Sequence, residues 1–186
     1  MAIIAVFGSA GGEELVVEKN QISARIIGEE VARRGHYLLT GACPGIPHIA
    51  ALGALEESGI VIGISPYGSK FEHVNNGFPI DSYLLIFTGM TKKGRNPISC
   101  RTADAAIFVS GRTGTLNEFS IFYDEGNVLK VIGLLRGTGG VVDNEIPSLL
   151  ARLSRDKPSK VTVIEDDEPK RLVEAVCVKL QKNLRV

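Results

Sequence analysis

The stretch AAIFVSGRTGTLNEF, residues 105–119, decides the fold of this chain. Ala105 to Val109 form an unbroken apolar run, the signature of a strand covered on both faces rather than on one. The stretch from Gly114 to Glu125 that follows has the period of a helix. Between them, Ser110-Gly111-Arg112-Thr113-Gly114 makes the hand-over. A buried strand running through a glycine-bearing turn into a helix is the repeating unit of a parallel α/β sheet.

The same alternation extends outward in both directions. Strands are expected at Ala2 to Phe7, Tyr37 to Thr40, Val61 to Ser65, Tyr83 to Phe87, Leu129 to Leu134 and Val161 to Ile164. Helices are expected at Lys19 to Arg34, Pro47 to Ser58, Thr91 to Thr102, Ile146 to Ser154 and Glu168 to Lys182. The fold class is therefore α/β: a Rossmann-like, doubly wound, mainly parallel sheet of about seven strands with helices on both faces. With 186 residues, the expectation is a single Rossmann-like nucleotide-binding domain over 1–186.

Lys plus Arg and Asp plus Glu both number 21, without blocks of one sign, so bulk charge favours neither nucleic acid nor a membrane surface as partner. The N-terminal run MAIIAVF is too short for a span and lacks a basic region before it. Three cysteines (Cys43, Cys100, Cys177) at scattered positions argue against a disulfide framework and fit a reducing compartment. A cytoplasmic protein is expected.

In such folds the ligand lies beyond the carboxyl ends of the strands, and the glycines cluster there. Strand ends run into Gly8-Ser9-Ala10-Gly11-Gly12, Gly41-Ala42-Cys43-Pro44-Gly45, Ser65-Pro66-Tyr67-Gly68, Ser110 to Gly114, and Arg136 to Gly140. Each alone is also ordinary turn chemistry. Gly68 to Ser82 reads as a long surface loop, either a plain connection or a cover over the site.

At the 105–119 unit, Gly114 and Thr115 fall where a helix begins, so free amides and the positive end of the helix dipole face the strand ends. A phosphate suits that place, with Gly111, Arg112, Thr113, Gly114 and Thr115 around it. Simple capping is the competing reading, with Thr113 or Thr115 as N-cap and Glu118 closing a capping box. Glu118 lies on the same helix face as Thr115. A carboxylate beside a phosphate suits a ribose, whose C1′ gains positive charge when its bond to a base breaks. Arg95 and Arg101 on the preceding helix would balance the phosphate charge. Gly8, Ser9 and Gly41 complete the candidate ligand-binding set, and Ser65 is a further strand-end hydroxyl. Cys43 and His48 share a loop without further ligands at metal spacing, so no metal site is expected.

Ser110 to Glu118 resembles the P-G-G-x-G-T-x-x-E signature of the LOG family of phosphoribohydrolases, formerly called lysine decarboxylase-like. Asp104 falls on the family's "SDAFI" strand entry and Arg95 on its upstream arginine. Val6-Phe7-Gly8-Ser9 resembles the first-strand turn, and Thr40-Gly41, Gly53-Ala54 and Ile62 to Pro66 resemble the "GGG…GA…GVIP" stretch. The resemblance covers most of the chain up to about residue 140. Gly94-Arg95-Asn96 and Leu135 to Gly140 place it nearer the short bacterial and archaeal members of this SLOG superfamily, which include molybdenum cofactor carrier-like proteins.

The chain also departs from the hydrolase pattern. Ser110 replaces the proline, Arg112 the second glycine and Asn96 the lysine, and Gly41-Ala42-Cys43-Pro44-Gly45 stands in place of a glycine triplet. Arg112 either adds a phosphate contact or fills the groove and blocks a nucleotide, so anion binding transfers better than catalysis does. What the resemblance implies is binding of a nucleotide or similar phosphate-bearing small molecule at the Gly111–Thr115 turn. Two alternatives accompany it. One is hydrolysis of the N-glycosidic bond of a nucleoside 5′-monophosphate, with Glu118 and Arg95 as catalytic residues; the other is carriage of a molybdenum cofactor as its pterin phosphate. No cofactor is required, and a homo-oligomer, dimer or tetramer, is expected from the relatives.

Overall fold

The computed structural model describes residues 1–11, 17–81, 84–125, 129–156 and 160–183. In chain order the elements are β1 (Ile3–Gly8), α1 (Glu18–Arg33), β2 (Tyr37–Thr40), α2 (Ile46–Glu56), β3 (Val61–Ser65), α3 (Lys70–Asn75), β4 (Leu84–Phe87) and α4 (Thr91–Gly94). They continue as α5 (Asn96–Thr102), β5 (Ala105–Val109), α6 (Thr113–Asp124), β6 (Val131–Leu135), α7 (Gly140–Asn144), α8 (Ile146–Asp156), β7 (Thr162–Asp166) and α9 (Pro169–Asn183).

The strands form one seven-stranded parallel sheet in the order β4-β3-β2-β1-β5-β6-β7. The chain builds outward from β1 to β4, then returns so that β5 pairs along the other side of β1, with Gly8 opposite Val109. Strand order therefore reverses between β1 and β5, and the loops leaving these two strands part to open a crevice.

Side chains on the central strands β1 and β5 alternate between two cores. Ile4, Val6, Ile107 and Val109 meet α1, α2 and α9 through Ile27, Ala50 and Val176. Ala5, Phe7, Ala106 and Phe108 meet the opposite layer through Phe119, Phe122 and Val142. β5 and β6 are buried at every position, which is why they carry no polar residue. Phe108 links the second core, its ring 5.4 Å from Phe7 and 5.6 Å from Phe119. In the first core α1 and α2 pack at backbone contact: a Cβ on Gly28 would strike the Ala50 carbonyl, and one on Gly53 the Arg25 carbonyl.

Three local features differ from the sequence expectations. The helix expected over Thr91 to Thr102 is broken at Arg95, because Pro97 has no N–H to offer the carbonyl of Lys93. The stretch read as a surface loop after Gly68 contains α3, capped by Ser69, whose hydroxyl accepts from Glu72 N at 3.2 Å. The short helix α7 follows Gly139. Ser82 and Tyr83, placed by the sequence in that loop and in β4, lie outside the described residues. Among the described residues no helix is long and apolar enough to cross a membrane.

Candidate functional site

The turn after β5 is held in a conformation that glycine makes feasible. Ser110 and Gly111 both take positive φ, +55° and +97°, and a Cβ at Gly111 would collide with Thr115. The β6 loop fixes this turn from behind. Ser110 N donates to Thr138 Oγ1 at 2.9 Å, Thr138 Oγ1 donates to Leu135 O at 2.8 Å, and Val141 N donates to Gly111 O at 2.9 Å.

α6 then starts at Thr113 with Arg112 in the N-cap position and no side chain capping it. The first bond of the helix runs from Leu116 N to Arg112 O at 2.9 Å, so the amides of Thr113, Gly114 and Thr115 precede it. The capping expectation is corrected here: neither Thr113 nor Thr115 is the N-cap, and Glu118 turns inward instead of closing a box. The first turn also carries no acidic residue, which leaves the dipole end unneutralised.

These residues open onto a cavity of about 450 Å³ at the β1/β5 reversal, within the size range of small-ligand sites. Gly8, Ser9 and Gly41 line it from the ends of β1 and β2, and Arg112, Thr113, Gly114 and Thr115 from the start of α6. Gly111 stands behind this wall and shapes the turn. Among the described residues the Ser9 hydroxyl is buried without a hydrogen-bond partner. Lys92 and Lys93 of α4 add cations to the cavity; sequence reasoning passed over both, although they immediately precede Gly94-Arg95.

At the inner end Arg95 and Glu118 form a buried ion pair, 6% and 7% exposed, with Nη1 3.2 Å from Oε1. Arg95 reaches in because the helix breaks at it and because Gly41 has no Cβ, which would collide with the guanidinium. Its Nη1 also donates to Ser99 Oγ at 3.3 Å. Turned with its NH₂ inward, the Asn96 amide donates to Lys92 O at 3.0 Å and Glu118 Oε1 at 3.3 Å. Burial pushes the Glu118 carboxyl up to about 7, against the pull of Arg95 in the other direction. A carboxyl there can hold or release a proton near neutral pH.

Arg112 is exposed and reaches across the crevice, its Nη2 donating to Gly11 O at 3.1 Å. It ties the β1 and β5 loops together at the mouth. Other sequence candidates lie elsewhere. Arg101 is corrected: it points away and pairs with Glu125 on the surface at 2.6 Å. Ser65 Oγ is fully buried and bonded to His73, so it is not a ligand hydroxyl. Asp104 accepts from Ile3 N at 2.9 Å, at the amino ends of the strands. His48 lies 3.5 Å from Asp81, and burial pushes the Cys43 thiol up to about 11. Among the described residues no group of His, Cys, Asp and Glu could hold a metal ion.

The strand reversal and the crevice above it define a doubly wound, Rossmann-like α/β protein with its ligand-sized cavity at the switch point. More narrowly, the chain belongs to the SLOG cluster4 family, whose model matches residues 1–173. An uncharacterized protein of Archaeoglobus fulgidus is 34% identical over 119 residues, covering 64% of this chain and 74% of that protein. Among solved structures, TM1055 superposes with a TM-score of 0.78 at 24% identity, covering 96% of this chain and 99% of its own. The molybdenum cofactor carrier protein of Chlamydomonas reinhardtii superposes with a TM-score of 0.69 at 22% identity, covering 100% and 99%. At these identities the two structures speak for the fold.

Proposed function

We propose that the protein binds a phosphate-bearing, nucleotide-like small molecule in the β1/β5 crevice, with the phosphate on the first turn of α6. One observation carries this reading: an uncapped helix start, without an acidic residue, opens into a cavity lined by Lys92, Lys93 and Arg112. Backbone amides, the helix dipole and exposed cations meet there at a space the size of a small ligand. The C. reinhardtii carrier supports it as a fold relative whose described cargo is the molybdenum cofactor.

Calorimetry with inorganic phosphate and ribose 5-phosphate tests the reading, with Gly114→Asp as the control variant. Gly114 has open space where a Cβ would go, and an acid in the first helical turn favours the helix. That variant should keep or gain stability while losing anion binding at least tenfold. Binding that is absent from the wild type, or unchanged in the variant, would sink the reading.

A second reading rests on the near-neutral Glu118 carboxyl beside Arg95. In it, water adds to C1′ of a nucleoside 5′-monophosphate as the C1′–N bond breaks, giving ribose 5-phosphate and a base that leaves with the proton. Ionised Glu118 stabilises the positive charge developing on the sugar, so turnover rises with pH through about 7. Release of free base from AMP in a single turnover, absent in Glu118→Gln, is the expected result. No base from the wild type leaves a binder. In that case a pterin chromophore retained by the protein purified from cells that make molybdopterin would identify a carrier of that phosphate.

A further inference from the structure

We propose that Phe78 is the platform on which a planar ring of the ligand stacks, so that the cavity selects phosphate esters whose other end is a heteroaromatic ring. The proposal rests on the phosphate reading above and specifies the far end of the same ligand.

Phe78 lines the cavity and is half-buried. It belongs to the connection between β3 and β4, whereas the helix start lies at β5. In the order β3-β2-β1-β5 two strands stand between β3 and β5, and the cavity is lined from the β3–β4 connection as well as from the start of α6. Inorganic phosphate or a sugar phosphate at α6 leaves the Phe78 end empty. A nucleoside monophosphate, or another ester with a ring at its far end, spans it.

The ring is also held in place beforehand. His73, fully buried, donates from Nε2 to Pro79 O at 2.8 Å. A carbonyl only accepts, so Nε2 carries a proton, and in the neutral ring Nδ1 then accepts from the Ser65 hydroxyl, 2.9 Å away. Ser65 Oγ in turn accepts from Tyr67 N at 3.1 Å. This chain of bonds pins α3 and the residues after it to the end of β3. Phe78 N donates to His73 O at 3.2 Å. Its ring meets Tyr67 at 5.0 Å and 89°, and His73 at 5.3 Å and 65°, both edge-type contacts. A platform fixed this way loses little freedom when a ligand stacks on it.

A face of the ring is accessible from the cavity side. The exposed Lys92 ammonium, itself a lining group, stands 5.7 Å from the ring centroid, at the outer limit of a cation–π contact. A ring that a flexible lysine covers in this way can be covered instead by a base. Phe7, the other aromatic residue lining the cavity among the described residues, is 1% exposed and offers no comparable surface.

The test compares AMP with ribose 5-phosphate, which share the phosphate and sugar and differ in the ring. AMP should bind the wild type about tenfold tighter or more, the usual scale of one base–aromatic stack. Phe78→Ala should remove that advantage and leave ribose 5-phosphate affinity unchanged. The chain contains no tryptophan, so Phe78→Trp supplies a single indole as reporter. Its emission should be quenched by AMP, saturably, and not by ribose 5-phosphate. Equal affinity of the wild type for the two ligands, equal weakening of both by Phe78→Ala, or an indole indifferent to saturating AMP would overturn the proposal. Those outcomes leave phosphate binding standing; a wild type that binds neither ligand overturns both readings.

Discussion

Glu118 shows how a single side chain can cost stability in order to be useful. Its pKa rises from the ordinary 4.5 to about 7, chiefly through burial, so the folded protein binds this proton more tightly than the unfolded chain does. That contribution to stability is fully present below about pH 4.5 and is lost as pH rises through about 7. Urea titrations at pH 5 and pH 8 should therefore show a larger loss of stability on raising the pH in the wild type than in Glu118→Gln. Equal losses would mean that Glu118 is not the titrating group. Glu118 was legible in the sequence because its spacing from Thr115 fixes a helix face. Arg101 was misread because, six residues after Arg95, it falls about 120° around a helix of roughly 3.6 residues per turn, away from the site and beside Glu125. The partnership of Arg95 with Gly41 was not legible, since a guanidinium beside a missing Cβ is a contact between distant segments.

At the scale of elements, the strands were readable because burial on both faces leaves apolar runs that nothing else explains, as in β5 and β6. α3 and α7, of 6 and 5 residues, are too short to register a helical period. The same constraint of close burial predicts where elements are fragile. Gly28→Val pushes a side chain into the Ala50 carbonyl of α2, a backbone atom that cannot swing away. It should destabilise the protein by about 1–3 kcal/mol or more, read as a lower urea midpoint. A midpoint within error of the wild type would show that α1 and α2 are not packed at backbone contact. At α6 the prediction runs in the opposite direction, since Gly114→Asp should preserve the fold and spoil the site.

For the whole molecule, the sequence announced a parallel sheet but not its strand order, because β1 pairs with both β2 and β5 through contacts that no local pattern encodes. Only that order places the turn of residues 110–115 beside the Gly8-Ser9 loop and lets Phe78 line the same cavity. The three cysteines report on the same burial. Burial pushes Cys43 and Cys177 up to about 11 and Cys100 to about 12, so native thiols near neutral pH are protonated and shielded. Alkylation by iodoacetamide at pH 7.5 should be slow in the folded state and rapid in urea; fast modification of native Cys43 would show a cavity more open than described. The most direct measurement is a crystal structure of the protein soaked with AMP. Its phosphate should lie within hydrogen-bonding distance of the Thr113, Gly114 and Thr115 amides, with the sugar towards Glu118. Phosphate density away from the start of α6 would contradict the account.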